Sequence, residues 1–330
     1  SILYNSISYF LFLNLLSISI IGFGIFFSQI SNLKPLFRDS IFHYFIMGLI
    51  IIGSTSILIN FFFSINNLYS FFIIILGIIL FIKGYLRIFN NYKIAIKYLF
   101  VVSSLSFIFS FYSGFSDDIA YHYNTILNFK NLNLYEIPHS RQISYNSHWL
   151  FLKSIFFLTT FESSIFSLSS IIYSIILIDL YKNYKNTKDI NFILISVYSF
   201  ICLVFLIGVT NINKDFGTDM PGVLISIYIL LNILYLLLRD KEIQANEVIY
   251  IILLINFIFI IKITNSLVYL FLIFFLLIVK FNIIKLINYK IILVFIPLIL
   301  WFFQNIIISG CIIWPITPLC FYNLEMSNNE

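Results

Sequence analysis

The sequence has little charge. Asp, Glu, Lys and Arg make up only 10% of its 330 residues, whereas 61% are hydrophobic and the mean hydropathy is +1.02. This composition excludes an ordinary soluble domain. The net charge of +5 comes from cations scattered over short loops, so it does not indicate nucleic acid as a partner.

Cysteine, alanine and arginine are also scarce. The three cysteines have no metal-ligand spacing, and Cys202 lies inside an apolar run. Cys311 and Cys320 can pair only if their loop faces an oxidising compartment. With four arginines in the chain, Arg141 carries more information than any one lysine. The sequence starts without Met and without a cleavable signal pattern, which is consistent with a fragment of a longer chain.

What the chain does have is long apolar runs. Runs of about 20 residues recur, and this length crosses the roughly 30 Å of hydrocarbon as a helix. Helices and closed barrels are the structures that satisfy their backbone groups in lipid, and these runs are too long for barrel strands. We therefore predict an all-α, polytopic transmembrane bundle with about ten spans. The predicted spans are 2–27, 41–63, 68–89, 98–112, 163–180, 190–209, 222–238, 248–261, 266–279 and 291–308.

The prediction treats residues 1–330 as a single transmembrane domain. Residues 1–113 form the N-terminal spans, 114–148 an extracytoplasmic catalytic loop, 149–308 the remaining spans and 309–330 an extracytoplasmic, truncated tail. Residues 149–160 are apolar but only half a membrane long, which predicts an interfacial or re-entrant helix. The eighth and ninth spans are alternatively one long tilted helix.

The distribution of cations gives the chain an orientation. With ten spans, 14 of the 19 Lys and Arg residues fall in loops on one side, which the positive-inside rule makes cytoplasmic. Every unusual polar stretch then falls on the opposite face. We therefore predict a multi-pass protein of a bacterial inner membrane, with its functional surface outside the cytoplasm.

Asp117 and Asp118 are the strongest candidates for chemistry. They follow an apolar run directly, and acids beside a membrane core are costly and usually functional. One carboxylate can act as a general base while the other orients it or binds a metal. The alternative is that they only cap the helix that follows.

Three histidines follow this aspartate pair in the sequence. His122 lies four residues after Asp118, on the same face if the segment is helical, and His139 and His148 follow in the same loop. Asp117, Asp118 and His122 are the ligand set for a divalent cation if one is used, although no close His-x-x-x-His pattern exists. Histidines satisfied by their neighbours at the interface are the simpler explanation.

The remaining candidates are one arginine, two lysines and an acid on the same predicted face. Arg141 and Lys262 suit a phosphate, with a solvated loop charge and a snorkelling side chain as the respective alternatives. Lys214 lies in the second polar loop, where it has Asp215 as a surface partner. Asp219 stands before Met220 and Pro221, as helix-capping acids do. We assign His122, Arg141, His148, Lys214, Asp219 and Lys262 to substrate binding.

Five short motifs, in this order, resemble elements of the GT-C superfamily of polytopic glycosyltransferases. They lie at residues 116–123 (SDDIAYHY), 145–156 (YNSHWLFLKSIF), 218–221 (TDMP), 262–266 (KITNS) and 309–315 (SGCIIWP). Within that superfamily, the chain resembles uncharacterised bacterial members related to the protein mannosyltransferase and aminoarabinose transferase class. Its Asp-Asp pair departs from the Asp-Glu pair of many relatives, and three spans precede the span that leads into the loop.

The resemblance implies a transferase that moves a sugar from a polyprenyl-phosphate donor to a glycan or lipid acceptor of the cell envelope. Asp117 would be the general base, with Asp118 as the alternative. Membrane lipids are the other expected partners, and nucleic acid is not one. Two alternatives stay open. The first is a transporter or flippase of lipid-linked saccharides, which internal repeats and charged residues at mid-membrane depth would indicate. The second is a polymerase or ligase of such saccharides, which Arg141 with His139 and His148 would favour.

Overall fold

The computed structural model describes residues 2–34, 40–88, 92–109, 121–138, 141–186, 218–238, 242–287 and 289–321. These residues form an all-helical bundle without a named strand. Its α-helices are α1 (Ile2–Ser31), α2 (Ile41–Asn60), α3 (Asn67–Ile88), α4 (Tyr92–Phe109), α5 (Tyr123–Asn131), α6 (Arg141–Ser144), α7 (His148–Phe156), α8 (Ser167–Asn186), α9 (Asp219–Leu238), α10 (Ala245–Ile261), α11 (Val268–Ile278) and α12 (Tyr289–Ser309).

Six of the described helical stretches are long and apolar enough to cross a membrane. They are Ser6–Ser31, Ile41–Asn60, Asn67–Gly84, Ser163–Tyr181, Pro221–Leu238 and Lys290–Ser309. Shorter apolar stretches lie in α4, α10 and α11. The predicted sixth span, 190–209, lies outside the described residues. The chain is therefore a membrane-embedded helical protein.

Glycines allow the first helices to pack closely. A Cβ atom on Gly24 would lie 1.6 Å from the backbone oxygen of Tyr44, and one on Gly48 would lie 1.9 Å from that of Ile20. Helices that gain no hydrophobic drive from lipid associate through such close backbone contacts. Helix α1 thereby packs against α2, while α2 itself is almost entirely buried.

Polar contacts tie together helix ends that the charge distribution assigns to the same side. At one end, Lys290 Nζ donates to the backbone oxygen of Asn32, at 3.2 Å, and to Asn246 Oδ1, at 2.9 Å. At the other end, Asn60 Nδ2 donates to the Leu132 oxygen at 3.1 Å. The described structure thus has polar contacts between chain segments at both ends of the bundle.

The half-length apolar segment forms α7, a nine-residue helix in which every residue is buried. Ser147 caps its N-terminus, because its hydroxyl accepts a hydrogen bond from the Trp149 N–H at 3.3 Å. Helix α7 packs against α2, α5 and α10. It is too short to span a bilayer, and its burial shows that it belongs to the core of the bundle.

The predicted eighth and ninth spans are separate helices, so the long tilted helix is not formed. Helix α10 ends at Ile261, and Lys262 adopts an extended conformation with φ −154° and ψ 122°. A 3-10 turn, Ile263–Leu267, then leads into α11. The break falls at the lysine that interrupts the apolar pattern.

Candidate functional site

A cavity of about 470 Å³ opens at the end of the bundle where α10 breaks. Five separate stretches of the chain and α12 supply its wall. The lining residues are Tyr121, His122, Tyr145, Ser147, Thr218, Asp219, Ile260, Ile261, Lys262, Ile263, Thr264, Trp301, Ile313, Trp314, Pro315 and Ile316. Polar side chains come from the loops, and most of the apolar ones come from α10 and the segment after α12. The cavity therefore has charged side chains next to an apolar surface.

The charged part of the wall is an ion pair. Lys262 Nζ contacts Asp219 Oδ1, and the two side chains are 38% and 63% exposed. Lys262 reaches the cavity because it follows the last residue of α10, and Asp219 reaches it because it begins α9. The ion pair thus joins the C-terminal end of α10 to the N-terminal end of α9.

The backbone beneath this ion pair is fixed by close packing. A Cβ atom on Gly222 would lie 2.5 Å from Asn265 Nδ2, so a larger residue there would displace the Asn265 side chain from its place against α9. On the other side, the Ser147 hydroxyl donates to the Ile261 backbone oxygen at 2.7 Å. The two contacts hold the first turn of α9 and the end of α10 in place.

A buried amide network connects α12 to the segment before α7. Asn146 Nδ2 donates to Asn305 Oδ1 at 2.6 Å, and Asn305 Nδ2 donates to the Ile312 oxygen at 3.0 Å. The indole N–H of Trp301 donates to the Asn146 oxygen at 2.8 Å. The network orients Trp301 in the cavity wall and anchors the chain that follows α12.

That following chain is a loop closed by a disulfide between Cys311 and Cys320. The Ile312 N–H also donates to the Leu319 oxygen at 2.8 Å, across the base of the same loop. Residues 313–316 lie inside the closed loop and form one side of the cavity. The disulfide therefore limits how far this wall can move.

Tyr121 lies beside the ion pair. Burial raises the pKa of its hydroxyl, with smaller contributions in the same direction from Tyr145 and from the Asp219 carboxylate. The phenol keeps its proton at neutral pH and can act as a hydrogen-bond donor. Its ring lies 4.5 Å from that of His122, measured between centroids.

The structure brings three of the predicted site residues together: His122, Asp219 and Lys262. Of Arg141 only the backbone, which starts α6, is described. The remaining residues predicted to act here, Asp117, Asp118 and Lys214, lie outside the described residues, as does His139. Of the ligand set named for a divalent cation, only His122 is described, and the described residues contain no group of three potential ligands.

His148 lies away from the cavity. Its imidazole is 1% exposed, stacks on Phe151 and meets Phe257 edge-on. A Cβ atom on Gly53 would lie 2.4 Å from its Nε2, so the ring rests on the backbone of α2. Burial lowers the pKa of His148 to about 3. In this position the side chain packs in the core as a neutral ring.

The sequence did not single out several cavity residues. Tyr121 and Tyr145 lie within the motifs at residues 116–123 and 145–156, and Trp301 lies in the middle of a predicted span. The signal for the tyrosines was their place inside polar stretches, next to candidates that were named. Trp301 had no such signal, because an aromatic residue in an apolar run is ordinary.

The fold and the cavity define a membrane-embedded helical protein with a polar site at one end of its bundle. A family model described as "Domain of unknown function (DUF8201)" matches residues 7–329, and the chain belongs to this family. Neither the curated proteins nor the solved structures include a match to the chain.

Proposed function

We propose that the protein is a glycosyltransferase that moves a sugar from a polyprenyl-phosphate donor to a glycan or lipid acceptor of the cell envelope. One observation carries the proposal. Each of the five motifs, at residues 116–123, 145–156, 218–221, 262–266 and 309–315, contributes residues to the wall of one cavity. A purely structural membrane subunit has no need to gather them at one place.

The two sides of the cavity match the two parts of such a donor. Lys262 offers an ammonium group to a phosphate, and negative charge develops on that phosphate as the sugar leaves. The Ile260, Ile313 and Ile316 side chains offer an apolar surface to the first isoprene units. Ligand cavities typically enclose about 300–1,000 Å³, and the volume found here falls within that range.

The general base of the proposed reaction is Asp117, with Asp118 as the alternative. Asp118 precedes Tyr121, a cavity residue, by three positions, and three residues of chain span at most about 11 Å. The carboxylate accepts the proton of the acceptor hydroxyl while the hydroxyl oxygen bonds to the anomeric carbon. The bond from that carbon to the phosphate oxygen breaks, and its electron pair stays on the phosphate.

Two observations favour an extracytoplasmic position for the cavity. The Cys311–Cys320 disulfide closes one cavity wall, and disulfides persist in oxidising compartments. The positive-inside rule assigns the cation-rich loops, which hold 14 of the 19 Lys and Arg residues, to the opposite side. A lipid-linked donor suits this side because it needs no nucleotide sugar there.

The test is transfer by the purified protein in lipid nanodiscs. A panel of undecaprenyl-phosphate sugars, labelled in the sugar, is supplied with a cell-envelope acceptor extract, with and without a chelator. We expect Asp117→Asn or Asp118→Asn to reduce transfer at least 100-fold, the low end for loss of a general base. Glu136→Gln is the matched control, because Glu136 is an exposed acid of the same loop.

Unchanged transfer in the double variant Asp117→Asn/Asp118→Asn would remove these acids from the mechanism. Loss of transfer with chelator alone would instead make the pair metal ligands. If the wild-type protein transfers no sugar but moves the labelled lipid across vesicle membranes, the flippase alternative replaces the transferase.

A further inference from the structure

The ion pair between Lys262 and Asp219 is only partly buried in the cavity. Both side chains remain open to the cavity, with Asp219 nearly two-thirds exposed. Within the described part of the chain, the Lys262 ammonium and the Asp219 carboxylate have each other as their one polar side-chain partner. The lysine therefore uses one of its three N–H donors on a side chain.

Such a pair exchanges easily with a better anion. Exposed ion pairs contribute little to stability, because solvent screens them and long side chains lose freedom in holding them. A phosphate offers more oxygen acceptors and more charge than a carboxylate, and its hydrogen bonds to an ammonium are charge-assisted. A phosphate that enters the cavity can thus displace Asp219 from Lys262.

The exchange requires no movement of the backbone. Gly222 packs against the Asn265 side chain in the first turn of α9, and the Ser147 hydroxyl donates to the Ile261 oxygen at the end of α10. Each charged side chain stands next to one of these fixed points. Rotation of the Asp219 side chain alone breaks the pair while Lys262 stays at the cavity.

We propose that Lys262 and Asp219 form an exchangeable pair, in which the phosphate of the donor takes Lys262 and the released Asp219 binds a hydroxyl of the attached sugar. The proposal rests on the transferase function above and extends it. It makes Asp219 a selective residue: the carboxylate opposes a bare lipid phosphate and favours one that carries a sugar.

The neighbours of Asp219 suit a carboxylate that becomes free. Tyr121 and Tyr145 line the same cavity, and burial raises the pKa of the Tyr121 hydroxyl, so it stays protonated. A released carboxylate accepts hydrogen bonds from such phenols and from sugar hydroxyls alike. It does not have to return to bulk water.

The test is equilibrium binding of undecaprenyl phosphate to the protein in phosphatidylcholine nanodiscs, with undecaprenol and inorganic phosphate as further ligands. Removing the competing charge with Asp219→Asn should tighten binding of undecaprenyl phosphate about two- to fivefold, as expected for an exposed pair. Lys262→Gln should weaken it roughly tenfold or more. Adding a sugar to the lipid phosphate should improve binding to the wild type and not to Asp219→Asn.

Asp219 lies in the first turn of α9, so its replacement can also affect folding. Asp219→Ser keeps a helix-capping oxygen without the charge and should tighten undecaprenyl phosphate binding in the same way. If both folded variants bind undecaprenyl phosphate as weakly as the wild type or more weakly, the pair does not compete with phosphate and the proposal is overturned. Equal affinity of the wild type for inorganic phosphate and the lipid overturns a lipid donor as the ligand.

The binding experiment is separate from the transfer assay. Tighter binding in Asp219→Asn together with no sugar transfer by the wild type refutes the transferase function and leaves the exchange intact. Transfer by the wild type without tighter binding in Asp219→Asn supports the transferase function and refutes the exchange.

Discussion

His148 gives the protein a specific sensitivity to acid. Its ring is 1% exposed, rests on Gly53 and lies between Phe151 and Phe257. Among the described residues, neither ring nitrogen has a hydrogen-bond partner. Burial lowers the pKa of this imidazole from the ordinary 6.5 to about 3 in the folded protein. Between these two pH values the unfolded chain binds a proton at His148 and the folded chain does not. The free energy of unfolding must therefore fall as the pH falls below 6.5.

The size of the effect follows from the proton balance. One proton bound only by the unfolded state costs about 1.4 kcal/mol for each pH unit below 6.5. From pH 7.5 to pH 5.5 the contribution of His148 decreases by about 1.4 kcal/mol. That loss corresponds to roughly 2 °C in Tm for a chain of this length. Thermal unfolding in detergent, followed by tryptophan fluorescence at both pH values, measures it.

The matched variant is His148→Leu, which has a similar volume and no titrating group. It should show a smaller fall in Tm between pH 7.5 and 5.5, and the difference from the wild type isolates His148 from every other titrating group. An equal fall in both proteins would refute the neutral, buried state of the imidazole. Because the ring lies away from the cavity, His148→Leu should also keep most of the sugar transfer that the proposed function predicts.

Three further outcomes are expected from other parts of the fold. Burial lowers the pKa of Lys130 to about 7, so raising the pH from 7.5 to 9 should stabilise the wild type over Lys130→Met by about 2 kcal/mol. Removing the disulfide with Cys311→Ser/Cys320→Ser should cost about 2–3 kcal/mol, given the short loop it closes, and should reduce transfer. Gly222→Ala forces Asn265 aside and should cost about 1 kcal/mol.

Each of these outcomes has a control in the same chain. For Lys130 the direction of the stability change with pH is the control. If Lys130 were charged and paired in the folded protein, the wild type would become less stable relative to Lys130→Met as the pH rises. For the disulfide, a reducing agent should lower the Tm of the wild type and leave the double serine variant unchanged. For Gly222 the neighbour Val223, which is exposed, should tolerate alanine, and an equal loss in both variants would argue against the close packing.

The sequence predicts several helices well, since apolar runs long enough to cross a bilayer form them. Predicted spans 41–63 and 291–308 correspond to Ile41–Asn60 and Tyr289–Ser309. The polar interruption at Lys262 marks the end of α10 to the residue. A charged side chain within an apolar run is costly, and a break that frees it toward a cavity removes the cost. The number of spans is less well predicted. Among the described residues six helices are long enough to cross a membrane, whereas the apolar stretches in α4, α10 and α11 are shorter.

The position of His148 could not be predicted. In the sequence it stands between polar Ser147 and aromatic Trp149, where an interfacial ligand is as plausible as a core residue. What decides is Gly53, about a hundred residues earlier, whose missing side chain leaves room for the ring. Such a complementary pair between distant helices leaves no periodic pattern in either.

Buried lysines are a second feature that composition conceals. Lys130 and Lys153 are each 1% exposed, although Lys130 stands in a polar stretch of the sequence and Lys153 in the apolar segment 149–160. Lys130 donates to the Ser70 hydroxyl, and Lys153 donates to the Ile165 oxygen at 3.3 Å. A lysine with a hydroxyl or carbonyl partner is indistinguishable in sequence from one that snorkels to water.

The candidate site shows which part of a membrane protein its sequence determines. Charge bias and span length fix the depth of a residue, so His122, Asp219 and Lys262 could be assigned to one face without knowledge of the packing. Depth confines these residues to a layer but leaves their lateral positions open. Those positions depend on which helices touch, and here glycine and amide contacts decide that, such as Gly222 against Asn265 and Asn146 with Asn305. Variants at these contacts should therefore disturb the cavity as strongly as variants in its wall.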